Sequence, residues 1–440
     1  MKLPTTIYAI SSGLGRAGIA VVRLSGPRAK VVLDALVVTL PEPRSAALRR
    51  LTDDGELIDQ ALVLWFPGPH SVTGEDLVEF HVHGSPAILS RLFKVFATYE
   101  GVVPAQPGEF TRRAFDHGRL DLVEVEGLAD LLAADSEPQR RLAIRQFVGE
   151  SSGLIESWRM CVIEVSAFLE AAIDFADEDA EIGAVNAAME SRVGNLVSEL
   201  QRALDHSITG VGVRNGLRLV FAGAPNVGKS SLFNWLLERD AAIVSTQAGT
   251  TRDVVAAGRN LGGLPVLLLD TAGLRDETLD EIEKMGMARS RAEVNEADVL
   301  IWVRAPGIVE TVGPGRIPDL VVINKTDLFD ENLIHIRNNS ESHVSAKTGD
   351  GLERLREKID SIVKERYAGA ENAVLVRQRH RQAVLKTIRY LNDFLTDNKK
   401  SLELKAEDLR RAAWELASIT GRVDVEDLLG KIFSEFCIGK

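Results

Sequence analysis

The chain has 440 residues, of which 45% are hydrophobic and 26% charged, with a formal net charge of -12 and two cysteines. This length predicts two or three domains, and the acidic balance excludes a strong nonspecific nucleic-acid binder, because neutralising phosphates needs clustered Lys and Arg. Cys161 and Cys437 cannot form a disulfide framework, and neither an apolar signal-peptide start nor a run of about 18 apolar residues is present, so we expect a cytoplasmic protein.

The first 118 residues alternate short apolar runs with turns and include the helical pattern PAILSRLFKVF. This order predicts a small α+β domain over residues 1–118. The stretch GLGRAG at Gly13–Gly18 satisfies a GxGxxG pattern, but a strand follows it where a dinucleotide site needs a helix. We therefore interpret it as a connection between strands. His81 and His83 alternate on one strand face without a suitably spaced carboxylate or cysteine, so no metal site is predicted there.

Helical periodicity follows, with an apolar stripe at Trp158, Val162, Val165, Leu169 and Ala172. From residue 213 apolar strands such as LRLVFAGA and DLVVINK alternate with helices, as in a doubly wound parallel sheet. Helical spacing returns after residue 370. The sequence thus predicts an α/β module, residues 213–370, inserted between residues 119–212 and 371–440, which form two halves of one helical-bundle domain.

The stretch GAPNVGKS, Gly223–Ser230, fits the phosphate-loop pattern. It follows the strand LRLVF directly and precedes the helical SLFNWLL, a context that disfavours an ordinary glycine-rich turn. In such a loop, backbone N–H groups face the phosphates at a helix N-terminus. We expect Lys229 to reach the β and γ phosphates and the Ser230 hydroxyl to bind Mg2+.

Three further loops follow in the order that GTP hydrolases require. DTAG at Asp270–Gly273 can hold the magnesium shell through its Asp and contact the γ phosphate through its last glycine. NKTD at Asn324–Asp327 places Asp327 to accept the N1 and N2 hydrogens of guanine, a donor pair that adenine lacks. Ser345–Lys347 supply the last base-side loop, with the Ala346 N–H available to guanine O6. Together the four loops predict a GTP hydrolase.

A switch loop is expected at GTTRD, Gly249–Asp253, where Thr251 is the natural second hydroxyl on magnesium. Many GTPases orient the attacking water with a Gln after DTAG, but here the position is Leu274, which cannot do so. Glu283 is the candidate for that role; from the residues alone, a solvated helix glutamate is an equally open alternative. No arginine finger is evident in cis, and Asn226 suggests a monovalent cation that bridges the phosphates instead.

Three stretches outside these loops carry a family resemblance: GEDLVEFHVHG at Gly74–Gly84, PGEFTRRAF at Pro107–Phe115 and FCIGK at Phe436–Lys440. With them, the whole chain resembles the MnmE (TrmE) family of tRNA modification GTPases. The resemblance implies a homodimer whose G domains meet across a potassium ion during hydrolysis, and it implies that Glu283 orients the water. The potassium ligands that it implies are Asn226, Ser245, Gln247 and Thr250.

The residues expected to bind GTP belong to the phosphate loop, the switch loop, DTAG and the two base-side loops. Among them, Lys229 is also expected to act in catalysis, and Ser230 and Thr251 are expected to bind Mg2+. The full set is Asn226, Val227, Gly228, Lys229, Ser230, Ser231, Ser245, Thr246, Gln247, Ala248, Gly249, Thr250, Thr251, Asp270, Thr271, Ala272, Gly273, Asn324, Lys325, Asp327, Ser345, Ala346 and Lys347.

The resemblance also implies an N-terminal domain that binds 5-formyltetrahydrofolate, or a related one-carbon tetrahydrofolate, through Arg23, Glu79, Arg119 and Lys440. From the residues alone, Arg23 and Glu79 are ordinary charged strand residues. With the flavoprotein partner MnmG, the complex would install an aminomethyl or carboxymethylaminomethyl group at C5 of the wobble uridine of certain tRNAs. Cys437 would matter for that reaction with its chemical role open, since a lone cysteine is more often a packed small hydrophobe.

The sequence departs from the family pattern at three places. Arg119 stands where Lys is common, and Ser85 replaces a Gly after HVHG, so both bear on the geometry of the folate pocket. Residues 304–320 are shorter and richer in Pro and Gly than usual, which predicts a reduced helix there. Separately, RQRHR at Arg377–Arg381 opens the second helical half and could contact tRNA or be a solvated helix start.

Two other protein classes share parts of this pattern. A GTP-switched ribosome-assembly factor has similar nucleotide loops, but it should carry a basic RNA-binding appendage, and this acidic chain ends in FCIGK. A membrane-remodelling GTPase would need a basic amphipathic or apolar insertion segment, and none is visible. The sequence therefore predicts a multi-domain α/β plus all-α chain: an α+β N-terminal domain, a discontinuous helical bundle and an inserted P-loop G domain.

Overall fold

The structure is a computed structural model of the chain. It describes residues 5–13, 15–174, 182–239, 256–261, 263–270, 293–308, 313–328, 341–370, 373–396, 401–423, 429–430, 432–433, 436 and 438–439. The chain packs into two compact units, one made of Met1–Ala129, Phe147–Glu156 and Leu416–Lys440, the other of Asp130–Gln146 and Ser157–Glu415.

The first unit is built on a six-stranded sheet. Its strands are β1 (Thr6–Ile10), β2 (Ala17–Ser25), β3 (Ala47–Asp53), β4 (Glu56–Phe66), β5 (Leu77–Gly84) and β6 (Val102–Pro104). They lie in the order β3-β4-β5-β2-β1-β6, and every pair is antiparallel except β1 and β6. Burial alternates along β4 and β5, because successive side chains of a strand point to opposite faces. One face of this sheet therefore forms a core.

Two helices, α1 (Ala29–Leu36) and α2 (Pro86–Phe96), share that core with the strands. The first residue of α2 is a proline, whose fixed φ suits the first turn of a helix. Phe96 is fully buried at the other end of α2. Its ring centroid lies 5.1 Å from that of Tyr8 and 5.8 Å from that of Phe80, so aromatic contacts join α2 to β1 and β5.

The same unit contains residues near both ends of the sequence. Helices α3 (Glu109–Asp116) and α4 (Leu122–Leu132) follow β6. Apolar residues from the start of α4 and from positions 429–436 form one cluster, which contains Leu122, Val125, Leu429, Ile432, Phe433 and Phe436. Beyond it, the Ser11 hydroxyl donates a 2.8 Å hydrogen bond to the Gly439 carbonyl. Positions more than 400 residues apart therefore pack as neighbours.

Long helices dominate the chain on either side of the second sheet. They are α5 (Glu137–Phe147), α6 (Glu150–Asp174), α7 (Ile182–Asn215), α10 (Gln378–Thr396) and α11 (Leu402–Thr420). The expected apolar stripe on α6 is confirmed at Trp158, Val162, Val165 and Leu169, which are all buried. The side chain of Ala172 lies outside the described residues. Among the described helices, none combines the length and apolarity that crossing a bilayer requires.

The second unit also contains a six-stranded sheet with helices α8 (Lys229–Arg239) and α9 (Leu352–Arg366). Its strands are β7 (Leu217–Ala222), β8 (Ala256–Leu261), β9 (Leu264–Asp270), β10 (Val299–Arg304), β11 (Leu320–Ile323) and β12 (Glu341–His343). The order is β12-β11-β10-β7-β9-β8, parallel throughout except for the antiparallel edge strand β8. The predicted doubly wound parallel sheet is thus confirmed.

Polar contacts link the two places where the chain enters and leaves this sheet. The Tyr367 hydroxyl, just after α9, accepts a hydrogen bond from the Leu217 N–H at 3.2 Å and donates to the Pro265 carbonyl. The Asp130 carboxylate lies 3.0 Å from Arg214 Nε and 2.8 Å from Arg377 Nη2. The end of α7 and the start of α10 are therefore joined through a single carboxylate.

The RQRHR stretch at the start of α10 is engaged within the protein. Arg377 binds Asp130, and Arg381 donates to the Ser207 hydroxyl and, at 3.3 Å, to the Leu204 carbonyl of α7. His380 is fully buried. Arg377 and Arg381 thus have partners within the protein, and the tRNA contact considered from the sequence stays a prediction.

Replacing Tyr367 with Phe should destabilise the second unit. The change removes the acceptor of the buried Leu217 N–H, and an unpaired buried donor costs about 1–3 kcal/mol. Burial raises the pKa of Tyr367, so the phenol stays neutral in the folded state and the loss should not vary with pH below the ordinary phenol value of about 10. Urea unfolding measures the loss.

Tyr390→Phe provides the matched control. The Tyr390 hydroxyl makes no hydrogen bond within the described part of the chain, so the same deletion there should leave the urea midpoint nearly unchanged. Equal midpoints for the Tyr367 and Tyr390 variants would show that the Tyr367 hydroxyl contributes nothing to stability.

Candidate nucleotide-binding site

The sequence-predicted nucleotide loops meet at one edge of the second sheet. Strand register pairs Phe221 of β7 with Asp270 of β9, and Ile323 of β11 with His343 of β12. Because these strands are parallel, the loops after β7, β9, β11 and β12 all leave from the same edge. In the strand order, β9 and β8 lie on one side of β7, whereas β10, β11 and β12 lie on its other side. Such a reversal of strand order opens the crevice in which α/β proteins bind ligands.

The phosphate loop requires glycine at two positions because other loops pack against its backbone. Gly223 has a φ of +146°, and a Cβ there would lie 2.1 Å from the Val303 carbonyl oxygen. Gly228 has a φ of +94°, and a Cβ there would lie 2.1 Å from Asn324 Nδ2. Both positions exclude any larger residue. The glycines thus allow the close backbone approach that a phosphate cradle needs.

Lys229 begins helix α8 and folds back over the loop that precedes it. Its Nζ donates hydrogen bonds to the carbonyl oxygens of Gly223 at 3.0 Å and Ala224 at 2.9 Å, and the residue is 8% exposed. Ser230 follows it with an exposed side chain in the first turn of α8. An ammonium group and an exposed hydroxyl therefore stand together at a helix N-terminus, where anions bind favourably.

The Asn324 side chain connects two of the loops. Its Nδ2 donates to the Val227 carbonyl of the phosphate loop at 2.9 Å, and its Oδ1 accepts from the Ala346 N–H at 3.0 Å. Asn324 is 1% exposed, so both bonds are shielded from water. The Ala346 N–H was expected to be available to guanine O6, but in this structure it donates its hydrogen bond to Asn324. Binding of O6 would therefore require this hydrogen bond to be shared or exchanged.

Asp327 is the exposed carboxylate of the base-side loop. It lies in a 3-10 turn, Thr326–Leu328, and accepts a 2.7 Å hydrogen bond from the Ser345 hydroxyl. That bond, with the positive charges of Lys347 and Lys325, lowers the pKa of Asp327. The carboxylate therefore stays ionised at neutral pH. An ionised carboxylate has two acceptor oxygens, which match the paired N–H donors of guanine.

Several expected site residues lie outside the described residues, and one more is only partly described. Asp270 ends β9 at the site edge, with only its backbone described. Ser231 lies exposed in α8, one residue after Ser230. The residues outside are Ser245, Thr246, Gln247, Ala248, Gly249, Thr250, Thr251, Thr271, Ala272, Gly273, Leu274, Glu283, Cys437 and Lys440.

The first sheet brings together two of the residues expected to bind folate. Arg23 and Glu79 face each other across β2 and β5, and Arg23 Nε lies 2.7 Å from Glu79 Oε1. His81 Nε2 lies 3.5 Å from the other carboxylate oxygen, a neighbour that the sequence did not single out for this role. Arg119 is exposed and makes no ion pair with Glu79 within the described part of the chain.

The histidine pair on β5 has structural partners. His83 donates its backbone N–H to Asp59 Oδ2 at 2.8 Å, and its ring Nδ1 lies 2.8 Å from Asp59 Oδ1. Burial acts to raise the pKa of Asp59, but the hydrogen bonds from His83 and Gln60 outweigh it and the net shift is downward. Among the described residues, no three His, Cys, Asp or Glu side chains cluster as metal ligands.

Replacing Asn324 with Ala should disconnect the base-side loop from the phosphate loop. The change leaves the Val227 carbonyl and the Ala346 N–H without their partner, and each unpaired buried group costs about 1–3 kcal/mol. We expect the affinity for GDP to fall by roughly 10- to 100-fold, as measured by calorimetry. Asn392→Ala, on the exposed side of α10, is the control; matching affinities for the two variants would refute the role of Asn324.

Known proteins match this chain along nearly its whole length. The family model for the GTP-binding protein TrmE N-terminus matches residues 6–119, and that for the MnmE helical domain matches residues 122–437. Proteins named tRNA modification GTPase MnmE are 46% identical in Paramagnetospirillum magneticum and 43% in Rhodopseudomonas palustris, each over 99% of both chains. The one from Maricaulis maris is 45% identical over 99% of this chain and 100% of its own.

Among solved structures, the G domain of the T. maritima FeoB iron transporter matches 33% of this chain and 98% of its own, at 25% identity with a TM-score of 0.23. That score is too low to support an inference. The assignment depends instead on the family models and the full-length relatives, together with a phosphate loop and guanine-side loops that meet at one sheet edge. The chain therefore belongs to the MnmE (TrmE) family, and it is a GTP hydrolase that acts in tRNA modification.

Proposed function

We propose that this chain, with the flavoprotein MnmG, installs an aminomethyl or carboxymethylaminomethyl group at C5 of the wobble uridine of certain tRNAs. GTP hydrolysis drives a conformational cycle in this proposal and does not perform the uridine chemistry. The observation that carries it is the meeting of the phosphate loop, Asn324 and the Ser345–Asp327 pair at one sheet edge, in a chain so similar to tRNA modification GTPases.

We propose the following roles in GTP binding, which the positions of these residues support. Backbone N–H groups after Gly223 bind the phosphates, Lys229 offsets their charge, and Asp327 selects guanine. Mg2+ fits the available donors, because it prefers oxygen ligands and keeps several waters, and Ser230 presents an exposed hydroxyl. Ser230 and Thr251 would hold it, and when bound it neutralises charge between the β and γ phosphates.

We propose potassium as the second cation of the reaction. Asn226 has a left-handed backbone, with φ of +64°, and its side chain is exposed in the phosphate loop, so its amide oxygen is accessible to a cation. Ser245, Gln247 and Thr250 would supply further oxygens. Glu283 would orient the attacking water in place of Leu274. Both roles follow from the family resemblance.

For the N-terminal domain we propose a tetrahydrofolate carrying a formyl group. Arg23 and Glu79 form a partly exposed ion pair on the first sheet, with side chains 25% and 17% exposed. A guanidinium and a carboxylate held side by side can donate to and accept from a ring amide of the pterin type. Arg119 and Lys440 would complete the site, and Cys437 would act in the modification.

The proposed assembly is a cytoplasmic homodimer that also binds MnmG, with tRNA bound mainly through the complex. The proposed domains are residues 1–118 for folate, residues 119–212 with 371–440 for the helical bundle, and residues 213–370 for GTP. A ribosome-assembly switch remains the alternative outcome of the test below. No described residue favours it.

The modification can be tested in cells that lack this protein. Mass spectrometry of nucleosides from total tRNA should show loss of the C5-aminomethyl-type uridines, and a plasmid copy of the wild type should restore them. Lys229→Ala should not, because the loop then lacks the ammonium group that contacts Gly223 and Ala224. Persistence of the nucleosides without the protein, in a strain with no redundant enzyme, would leave the ribosome-assembly switch as the better account.

The potassium proposal predicts a cation dependence. GTP hydrolysis by the purified protein should be about tenfold or more faster in potassium than in sodium buffer, because a bound cation stabilises charge in the transition state. Asn226→Ala should abolish most of that difference. Asn234→Ala, exposed on α8, should retain it. Equal rates of GTP hydrolysis by the wild type in the two buffers would refute the potassium proposal.

A further inference from the structure

A short stretch near the carboxyl end of the chain is held on the first sheet by main-chain contacts. Ile438 forms an antiparallel bridge with Pro107, and the Gly439 carbonyl accepts a 2.8 Å hydrogen bond from the Ser11 hydroxyl. We call Ile10, Ser11, Pro107 and Gly108 the seat. It consists of the residues that end β1 and those that precede α3.

Two glycines, Gly439 and Gly108, lie where the seat and the carboxyl segment come closest to each other. Gly439 has a φ of +97°, and a Cβ there would lie 2.0 Å from the Ile10 carbonyl oxygen and 3.2 Å from the Ser11 Cα. Gly108 has a φ of +68°, and a Cβ there would lie 2.6 Å from the Phe433 carbonyl oxygen. In both cases the obstacle is backbone, which cannot move aside as a flexible side chain can.

The seat lies next to the Arg23–Glu79 pair in the strand ladder. Ile10 pairs with Val22, and its neighbour Ala9 pairs with Arg23, which in turn faces Glu79. The Ser11 N–H also donates to the Val21 carbonyl at 2.8 Å. Gly439 therefore contacts β1 one residue from the position that faces Arg23.

Burial of apolar surface does not explain these contacts. The apolar residues at 429–436 already bury themselves in a separate cluster against α4, with Phe433 5% and Phe436 6% exposed. Ile438, in contrast, is 60% exposed. The contacts at 438–439 thus fix the position of the backbone and bury little apolar surface.

We propose that Gly439 is a positioning residue for the modification step, and that its contact with Ile10 and Ser11 fixes the path of the carboxyl segment beside the one-carbon site. This inference rests on the proposed function, because it assigns the one-carbon donor to the Arg23–Glu79 pair. In the sequence, Gly439 stands between Cys437 and Lys440. A shift of about 1 Å in a reacting group can cost on the order of 100-fold in rate.

The test compares two glycine substitutions in the same segment. Gly439→Ala places a Cβ 2.0 Å from the Ile10 carbonyl, whereas a Cβ at Gly430 meets nothing within 4 Å. In the complementation assay, and with purified protein and its partner, Gly439→Ala should lower the modification rate on the order of 100-fold, and Gly430→Ala should not. Both variants should keep the wild-type GTP hydrolysis rate and thermal midpoint.

Two further variants separate positioning from folding. Ser11→Ala removes the hydroxyl that binds Gly439 and should slow modification, whereas Ser11→Thr keeps the hydroxyl and should restore it. Gly118→Ala controls for backbone strain alone, because Gly118 has a φ of +62° with nothing within 4 Å of a Cβ. Hydrogen exchange at the Ser11 amide, which donates to the Val21 carbonyl, should rise in Gly439→Ala and stay at the wild-type level in Gly118→Ala.

The outcomes distinguish this inference from the proposed function. If wild type restores the modified nucleosides and Gly439→Ala restores them equally well, the positioning role is wrong while the function stands. A drop in the thermal midpoint of Gly439→Ala that matches its loss of modification, with no rescue by Ser11→Thr, would make the contact merely structural. If wild type itself fails to restore the nucleosides, the proposed function falls and this inference falls with it.

Discussion

One buried amide holds the nucleotide site together. Asn324 donates to the phosphate loop at Val227 and accepts from the last base-side loop at Ala346, so the two regions that bind opposite ends of a nucleotide share one side chain. Loops at the edge of a parallel sheet are otherwise independent of each other. Because Asn324 is 1% exposed, water cannot replace either bond. The spacing between phosphate contacts and base contacts is therefore set before any ligand arrives, which reduces the ordering cost of binding.

The inserted sheet is attached to its surroundings by the same kind of interaction. Tyr367 links the first residue of β7 to the return of the chain after α9, and Asp130 binds Arg214 and Arg377 on either side. The Tyr367 contact joins the sheet to the chain after α9, and the Asp130 contacts join a helix before the sheet to one after it. These polar contacts hold together the two places where the chain enters and leaves the sheet.

Local sequence patterns predicted the parts of this structure that depend on local physics. The phosphate loop was recognisable because its glycines and its lysine fall within eight residues, between a strand and a helix. The buried stripe on α6 was visible from its spacing. Asp130 and Tyr367 carried no such signal, since an acidic residue near a helix end and a tyrosine after a helix occur in any protein. Their roles depend on partners that are distant in sequence. The same holds for the hydrogen bond between Ser11 and Gly439 and for the one that Ala346 N–H donates to Asn324.

The Ser11–Gly439 hydrogen bond spans 428 positions, and this separation fixes an order of assembly. A chain leaves the ribosome from its amino end, so Ser11 emerges long before its acceptor does. The last strand of the second sheet ends at His343, so every strand of that sheet emerges before residues 429–439 do. A nascent chain halted in that interval would contain Asn324 and Ala346 but lack the Gly439 carbonyl that binds the Ser11 hydroxyl. Translation thus supplies all strands of the nucleotide-binding sheet before it supplies the acceptor of the Ser11 hydroxyl.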